Sequence, residues 1–268
     1  MPCLSPSLRE SPALEIFVVP DAAATGVVAA GILAAVVRSK PDAVLGVATG
    51  GSPLPAYAAL AGHRLDMSGV RAFALDEYVG LPAGHPQSYG EVVRREVTER
   101  LGMDPALVRV PAGNAADPRQ AAEDYDAAIR AAGGVDVQLL GIGHNGHLAF
   151  NEPGSAFSSR TRVEVLAERT RAANARYFTS ESDVPRQCIT QGLGTILEAR
   201  HLLLVVAGTD KAGILARALH GEISEDCPAS ALQIHQHVTV VADEAAAALL
   251  APGSGQVPVR VPREAVGV

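Results

Sequence analysis

The chain has 268 residues, of which 48% are apolar, and it carries a formal net charge of −7. This composition is typical of a soluble globular protein with enough apolar material for a large buried core. The acidic balance, without a run of lysine or arginine, argues against nucleic acid or an anionic membrane surface as a partner. Cys3, Cys188 and Cys227 form no close pair, which favours a reducing compartment over disulfides or a zinc knuckle.

The first fifteen residues, "MPCLSPSLRESPALE", contain prolines and charges of both signs where a signal peptide needs an unbroken apolar core. No later apolar stretch is long and uninterrupted enough for us to expect a membrane span. We therefore expect a cytoplasmic protein that does not bind a membrane.

Short apolar runs alternate with alanine-rich stretches of helical period, the first of which is a predicted helix from Asp21 to Arg38. The apolar runs are LEIFVV, AVLGVA, VRAFAL, VDVQLLGI, HLLLVVAG and VTVVADE. Continuous apolar strands are buried on both faces, which predicts an open, mainly parallel sheet with helices on both faces, a doubly wound Rossmann-like α/β fold. No repeat or linker divides residues 1–268, so we predict one domain, with an N-terminal extension (1–13) and a C-terminal tail (251–268).

In such a sheet, ligands bind beyond the carboxyl ends of the strands. The first polar strand end, "TGGSPLPAY", offers Gly50 and Gly51 for close backbone approach, Ser52 as a helix N-cap and Pro53 at the first helical position. Free N–H groups and a helix dipole then meet at one point, where a phosphate fits. The alternative is an ordinary strand-to-helix turn. The stretch lacks the lysine of a nucleotide P-loop, which favours a small phosphorylated metabolite over a nucleotide.

The second strand end leads directly into Asp76 and Glu77, followed by a long loop rich in glycine and proline. Loops of this length in compact domains are commonly functional, and a positioned carboxylate can remove a proton from carbon. Asp76 is our candidate base, with a simple turn residue as the alternative. Glu77 by itself is interpreted as a solvated surface charge.

The third strand end, "GIGHNGHLAFNEP", begins a polar segment without helical or strand period that reaches Arg160. A histidine beside a carboxylate is a suitable acid–base pair, which points to His147 and Glu152, and Asn145 could orient either of them. A metal site at His144 and His147 is disfavoured, because their spacing lies on a glycine-containing turn without further ligands nearby. We interpret His144 as a loop residue without a chemical role.

Two other histidines, His235 and His237, lie in "ALQIHQHVTVV" and are interpreted as structural residues at the start of a strand.

Taken together, these segments resemble the glucosamine-6-phosphate deaminase family from the first strand to about Leu250. The resemblance rests on "TGGSPLPAY", "LDEYVGLPAGHPQSY", "GIGHNGHLAFNEPGSAFSSRTR", "TRAANARYF" and "GTDKA", in the family's order and spacing. It implies conversion of glucosamine 6-phosphate and water to fructose 6-phosphate and ammonia, without a metal or organic cofactor. Trimers and hexamers occur among relatives, and the sequence leaves open whether this chain forms a homo-oligomer.

The resemblance implies that His147 opens the sugar ring with help from Glu152 and Asn145, and that Asp76 moves a proton between C2 and C1. For the substrate phosphate, it implies Arg176 and Lys211, which join Gly50, Gly51 and Ser52. Lys211 has independent support, because Thr209 is predicted as an N-cap and a cation in the first helical turn needs an anion nearby.

Two residues depart from the pattern of some relatives. Asn145 stands where some members have aspartate, which predicts an altered pH profile rather than inactivity. Glu164 stands where allosterically activated hexameric members have lysine, and we expect no activation by N-acetylglucosamine 6-phosphate through that pocket.

Other functions stay open at this stage. A 6-phosphogluconolactonase shares the fold and a similar histidine turn, a non-catalytic phosphosugar sensor needs only the binding residues, and galactosamine 6-phosphate differs from the glucosamine compound only at C4.

Overall fold

A parallel sheet of eight strands forms the centre of the computed structural model, which describes residues 13–250 and 259–260. Its order is β11-β1-β10-β9-β6-β2-β3-β5, and every neighbouring pair is parallel. These strands are β1 (Ala13–Val19), β2 (Val44–Val47), β3 (Arg71–Ala74), β5 (Val108–Arg109), β6 (Val137–Leu140), β9 (Leu202–Val206), β10 (His237–Asp243) and β11 (Val259–Arg260).

A second sheet of three antiparallel strands lies beyond the end of β3. The apolar runs of the sequence do not predict this sheet. Its order is β4 (Asp76–Tyr78), β8 (Gln187–Thr190) and β7 (Arg162–Val165). The strands of this sheet are short, and β7 is only partly buried, so the sequence shows no continuous apolar run there.

The helices cover both faces of the main sheet. They are α1 (Ala22–Ser39), α2 (Leu54–Gly62), α3 (Tyr89–Val93), α4 (Pro118–Ala131), α5 (Glu168–Asn174), α6 (Leu193–Leu197), α7 (Ala212–His220) and α8 (Glu244–Ala247). Single 3₁₀ turns and a π-helical turn at Arg94–Glu99 complete the described secondary structure.

Alternate residues of the central strands enter two separate apolar clusters, one on each face of the sheet. In β9, Leu202 and Leu204 belong to the cluster with α4, α6 and α7, whereas Leu203 and Val205 belong to the cluster with α1 and α2. This alternation follows from the period of two in a strand. The predicted doubly wound, mainly parallel sheet is therefore confirmed.

The ends of the chain were predicted as an extension and a tail. Residues 1–12, 251–258 and 261–268 lie outside the described residues. Ala13, assigned to the extension, begins β1, and Val259–Arg260, assigned to the tail, form edge strand β11 beside it.

Helix α1 corrects the expectation that no segment is suited to a membrane span. Within the described residues it is the one helix long and apolar enough by length and composition, with a mean hydropathy of 1.7. Its side chains Ala30, Leu33 and Val37 are buried in the second cluster, and a Cβ at Gly26 would lie 2.7 Å from the Cβ of Pro55 at the start of α2. We interpret α1 as a core helix packed closely on α2.

The strand order explains where the site lies. Strands β9, β6, β2 and β3 are direct neighbours and run parallel, so their carboxyl ends meet at one edge of the sheet. The segments that follow these strands carry most of the residues that the sequence singles out.

Candidate active site

A cavity of about 720 Å³ opens at this edge of the sheet. That volume is in the range of small-molecule sites. Of the predicted site residues, all except Glu152 line the cavity: Gly50, Gly51, Ser52, Asp76, Asn145, His147, Arg176 and Lys211. The sheet has therefore brought together residues that are far apart in the chain.

The glycine turn after β2 forms one wall of the cavity. Gly50 has a φ of +102°, a left-handed conformation that favours glycine. Within residues 13–250, the N–H groups of Gly50, Gly51 and Ser52 have no hydrogen-bond acceptor. The prediction of Ser52 as an N-cap is wrong: α2 begins at Leu54, and Pro53, whose ring fixes φ near the helical value, occupies the cap position. These free donors suit a bound anion.

Lys211 lies at the entrance to α7. Its Nζ donates to the carbonyl oxygen of Ile142 at 3.1 Å, and burial lowers its pKa. The prediction of Thr209 as an N-cap is wrong, because Gly208, with a φ of +101°, makes the turn and residues 209–211 form a 3₁₀ turn before α7. Lys211 is nevertheless in the cavity wall, as expected of an anion ligand.

His144 has more contacts than a free loop histidine. Its Nε2 lies 2.6 Å from Oδ2 of Asp210, and its Nδ1 lies 3.3 Å from Nζ of Lys211. It also lines the cavity. Asp210 and His144 thus form a polar chain that ends at the lysine head group.

Arg176 lies in the 3₁₀ turn that follows α5, and it lines the cavity. Its guanidinium donates to the hydroxyl of Tyr177 at 2.9 Å and lies 4.7 Å from the centre of that ring. These contacts hold the side chain beside the cavity without neutralising its charge.

Asp76 begins β4 and is only 7% exposed. Burial, together with the neighbouring charge of Glu77, raises the pKa of its carboxyl to about 8. A carboxylate with a pKa near the working pH is well suited to accept and return a proton.

Glu77 is not the solvated surface charge that the sequence suggested. It is also 7% exposed, and its carboxylate accepts three backbone N–H groups, from Tyr78 at 2.8 Å, Tyr89 at 2.9 Å and Gly90 at 2.7 Å. Burial raises its pKa, whereas the three donors lower it. Glu77 therefore ties the long loop after β4 to the start of α3.

Three polar side chains of the segment after β6 form a continuous hydrogen-bonded relay. Nδ1 of His147 lies 2.8 Å from Oδ1 of Asn145, and Nδ2 of Asn145 donates to Oε2 of Glu152 at 2.5 Å. The other oxygen of Glu152 lies 3.7 Å from Nδ1 of His147. Asn145 thus contacts both His147 and Glu152, either of which it was expected to orient.

The relay fixes the tautomer of His147. A carboxylate only accepts hydrogen bonds, so Glu152 holds the NH₂ group of Asn145 and directs the amide oxygen at His147. Nδ1 then carries the proton, and Nε2, which has no partner in the described part of the chain, is left for a ligand. Burial lowers the pKa of His147, Glu152 opposes this, and the charge of Lys211 lowers it again.

The local sequence explains how the chain reaches this geometry. A Cβ at Gly143 would lie 2.2 Å from Cε1 of His147, so only glycine lets the ring lie over the backbone. Gly146 has a φ of +88° and its Cβ would lie 2.8 Å from Sγ of the buried Cys227. Ala149 has a φ of +52°, a conformation rare outside glycine that is often found at functional sites. Leu148 and Phe150 are buried, which confirms that the segment is packed.

A family model described as glucosamine-6-phosphate isomerases and 6-phosphogluconolactonases matches residues 21–241. The chain belongs to this family.

Individual relatives support the assignment. A glucosamine-6-phosphate deaminase of Arthrobacter sp. (strain FB24) is 54% identical over 241 residues, covering 88% of this chain and 93% of the relative. One of Streptomyces coelicolor is 53% identical over 242 residues, with the same coverage. Among solved structures, a monomeric glucosamine-6-phosphate deaminase has 41% identity and a TM-score of 0.85, covering 88% of this chain and 99% of its own. A 6-phosphogluconolactonase from Trypanosoma cruzi, at 21% identity and a TM-score of 0.70, shares the fold.

One wall of the cavity is formed by aromatic side chains that were not among the predicted site residues. Tyr78 stacks on Tyr89 with ring centres 4.8 Å apart, Phe178 meets Tyr78 edge-on at 5.8 Å, and Phe150 lies 6.0 Å from Tyr78. All four line the cavity. With only five tyrosines and five phenylalanines in the chain, their concentration in the motifs "DEY", "QSYG", "LAF" and "RYF" was a usable signal.

Glu164, the second departure from the family pattern, lies on β7 and pairs with Arg162 at 3.2 Å. Arg162 also donates to Oδ1 of Asn151 at 2.9 Å. The guanidinium of Arg162 is thus already paired with a carboxylate. That N-acetylglucosamine 6-phosphate does not activate the protein at this position stays a prediction.

The described residues contain no group of three or more histidine, cysteine, aspartate or glutamate side chains placed to hold an ion.

Proposed function

We propose that this family member is a glucosamine-6-phosphate deaminase, which converts glucosamine 6-phosphate and water to fructose 6-phosphate and ammonia. Relatives of that name are more than 50% identical to it over 93% of their length. The observation that carries the assignment is the cavity at the sheet edge. It joins a buried carboxylate, Asp76, to the free Nε2 of an oriented histidine, His147, beside a turn with unpaired N–H groups.

Substrate binding begins at the phosphate. The N–H groups of Gly50, Gly51 and Ser52 donate to its oxygens, and Lys211 and Arg176 supply positive charge from two other parts of the wall. Lys211 is partly buried, and burial lowers its pKa, so a dianion beside it restores the stability of its charged form. This places the sugar ring over the carboxyl ends of the central strands.

Ring opening requires a proton at the ring oxygen and the loss of one from the C1 hydroxyl. His147 performs both transfers through Nε2, because Nδ1 is occupied by Asn145. The negative charge of Glu152, transmitted through the amide, stabilises the imidazolium that forms in between.

The open-chain aldehyde then isomerises. The Asp76 carboxylate removes the proton at C2 while the ammonium group of the substrate protonates O1, which gives an enolamine. Asp76 then returns its proton to C1, which gives the protonated imine of the ketose. Water adds to C2, the C–N bond breaks and ammonia leaves, so atoms and charges balance. The pKa of about 8 for Asp76 matches a group that must both take and return a proton near neutral pH.

The direct test is coupled detection of ammonia and fructose 6-phosphate from purified protein supplied with glucosamine 6-phosphate. Galactosamine 6-phosphate and 6-phosphogluconolactone are supplied in parallel. Formation of both products from the glucosamine compound supports the proposal. Consumption of the lactone alone would assign the other activity of the family, and binding without turnover would make the protein a phosphosugar sensor.

Replacement of Asp76 by asparagine tests the proposed base. We expect turnover to fall by at least about 10²-fold, the typical contribution of a general base, whereas binding of fructose 6-phosphate measured by calorimetry changes little. Asp126→Asn is a matched control, because Asp126 is equally buried but lies outside the cavity, where Thr195 and Thr161 donate to it. An Asp76→Asn enzyme with a near-normal rate would contradict the assignment.

We also infer a cytoplasmic location. Cys188 and Cys227 are both buried and free, which is consistent with a reducing compartment. The proposed reaction needs only residues of this chain, water and a small phosphosugar.

A further inference from the structure

The relay has a fourth member on a different element. The hydroxyl of Thr170, in helix α5, donates to Oε1 of Glu152 at 2.5 Å. Oε2 of the same carboxylate accepts from Asn145, also at 2.5 Å. Each carboxylate oxygen therefore has its own donor, and Oε1 is the one that lies 3.7 Å from Nδ1 of His147.

The contact of Thr170 is not explained by local helix structure. The N-cap of α5 is Ala167, and no side-chain hydrogen bond caps the helix. No residue of α5 is buried, so Thr170 does not serve a core there. A threonine within a helix commonly bonds a carbonyl of the preceding turn, but this hydroxyl instead reaches a carboxylate 18 positions away in the chain.

The surroundings connect this contact to the site. Thr170 and its neighbour Arg169 line the cavity, and Arg169 is one of the charges that lower the pKa of His147. The same helix ends at Asn174, which donates to the hydroxyl of Tyr78 at 2.9 Å. Arg176 lies two residues further along the chain. Thr170 is thus the point at which the α5 segment contacts the acid–base relay.

We propose that Thr170 is a positioning residue for the relay: its hydroxyl holds Glu152 so that Asn145 stays oriented toward His147. The inference rests on the proposed function, since it assigns the relay its role in ring opening. Without the hydroxyl, Oε1 loses its donor and the carboxylate can rotate toward His147. The charge of Glu152 would then act on the imidazole more directly, and the pKa of His147 would rise.

The decisive variants are Thr170→Val, which keeps the shape and removes the hydroxyl, and Thr170→Ser, which keeps the hydroxyl. Because Thr170 is only half-buried, we expect the kcat profile of Thr170→Val to move to higher pH by about one unit, with KM nearly unchanged. Thr170→Ser should retain the wild-type profile.

Thr195→Val is the matched control. Thr195 also donates its hydroxyl to a carboxylate, Oδ1 of Asp126 at 2.7 Å, but away from the cavity. It should lower the melting temperature and leave the pH profile in place. A Thr170→Ser enzyme as impaired as Thr170→Val, or a Thr170→Val enzyme with the wild-type profile, would overturn the proposal.

A second readout does not depend on activity. The ring of His147 can be titrated by ¹H–¹⁵N NMR and assigned by the signal that His147→Gln removes. We expect an upward shift of its pKa in Thr170→Val and none in Thr170→Ser or Thr195→Val. If the wild-type protein releases no ammonia, the proposed function fails, while this titration still decides whether Thr170 positions the relay: an unshifted His147 would refute it.

Discussion

The two ends of the central sheet both carry histidines, but in opposite situations. At the carboxyl edge, His147 has one ring nitrogen held by Asn145 and the other without a partner among the described residues. At the amino ends of β9 and β10, His201 donates to or accepts from the hydroxyl of Thr239 at 2.9 Å, and its ring stacks on His237 at 3.7 Å with the planes 3° apart. The first arrangement leaves Nε2 open to a cavity, whereas the second closes the ring off from ligands by burial and stacking.

His235 shows the closed arrangement most completely. Nε2 lies 2.8 Å from the carbonyl oxygen of Ala199, and Nδ1 lies 2.8 Å from the carbonyl oxygen and 3.1 Å from the backbone nitrogen of His237. Both ring nitrogens are then satisfied by the backbone. The comparison teaches that a ring nitrogen free at a cavity marks the chemical histidine, whereas the structural histidines are buried away from the cavity.

The largest expected effect belongs to the open histidine. His147→Gln removes the proton-transfer group but can retain a hydrogen bond to Asn145, so we expect turnover to fall by about 10²–10⁴-fold. The melting temperature should change little, because His147 is half-buried and faces the cavity. Steady-state ammonia release and calorimetric melting measure the two quantities. A large loss of stability with normal turnover would reverse the comparison.

The closed histidine should give the opposite result. His235→Leu leaves the carbonyl oxygen of the buried Ala199 without its partner, which costs about 1–3 kcal/mol of unfolding free energy. Turnover per folded molecule should stay within about twofold of wild type, since the site lies at the other end of the sheet. Denaturant unfolding followed by assay of the folded protein checks this. An inactive but fully stable variant would contradict it.

The two regions should also differ in their response to pH. Burial, with the charges of His237 and His235, lowers the pKa of His201 to about 4, so the unfolded chain binds a proton first as the pH falls. Stability should therefore fall from about pH 6.5 to pH 4 through His201. For Asp76 the folded pKa is raised to about 8, so stability should fall as the pH rises from about 4 to 8, while kcat/KM rises toward 8 as the base ionises.

Melting temperatures from pH 4 to 8 test both signs. His201→Asn should flatten the acid side of the stability curve, and Asp76→Asn should flatten the decline on the alkaline side. If Asp76→Asn left the alkaline side unchanged, its carboxyl would not be the buried acid described above.

The fold and the placement of the site follow from the sequence for one physical reason. Apolar runs buried on both faces require a parallel sheet, and a parallel sheet brings the residues after its strands to one edge. Asp76, Asn145, His147 and Lys211 could therefore be assigned to one cavity before any contact was visible.

What the sequence could not supply depends on contacts between distant parts of the chain. Glu77 looks like a surface charge until residues 89 and 90 return to donate to it. Thr170 and Glu152 meet only because α5 packs beside the relay. Ser52 and Thr209 failed as caps because the turn conformation of a neighbouring residue, Pro53 or Gly208, decides where the helix begins.

The smallest expected effect concerns Asn145, where the chain differs from relatives with aspartate. In Asn145→Asp the new carboxylate loses the NH₂ donor to Glu152, and two acidic oxygens meet at the place of a 2.5 Å hydrogen bond. The pair must share a proton or carry extra negative charge, and in either form the imidazolium of His147 gains a stronger partner. We expect the pKa of His147 to rise and the alkaline limb of kcat to move upward by about one pH unit, with the maximal rate within about tenfold of wild type. A variant with the wild-type alkaline limb would show that Asn145 does not transmit charge to His147.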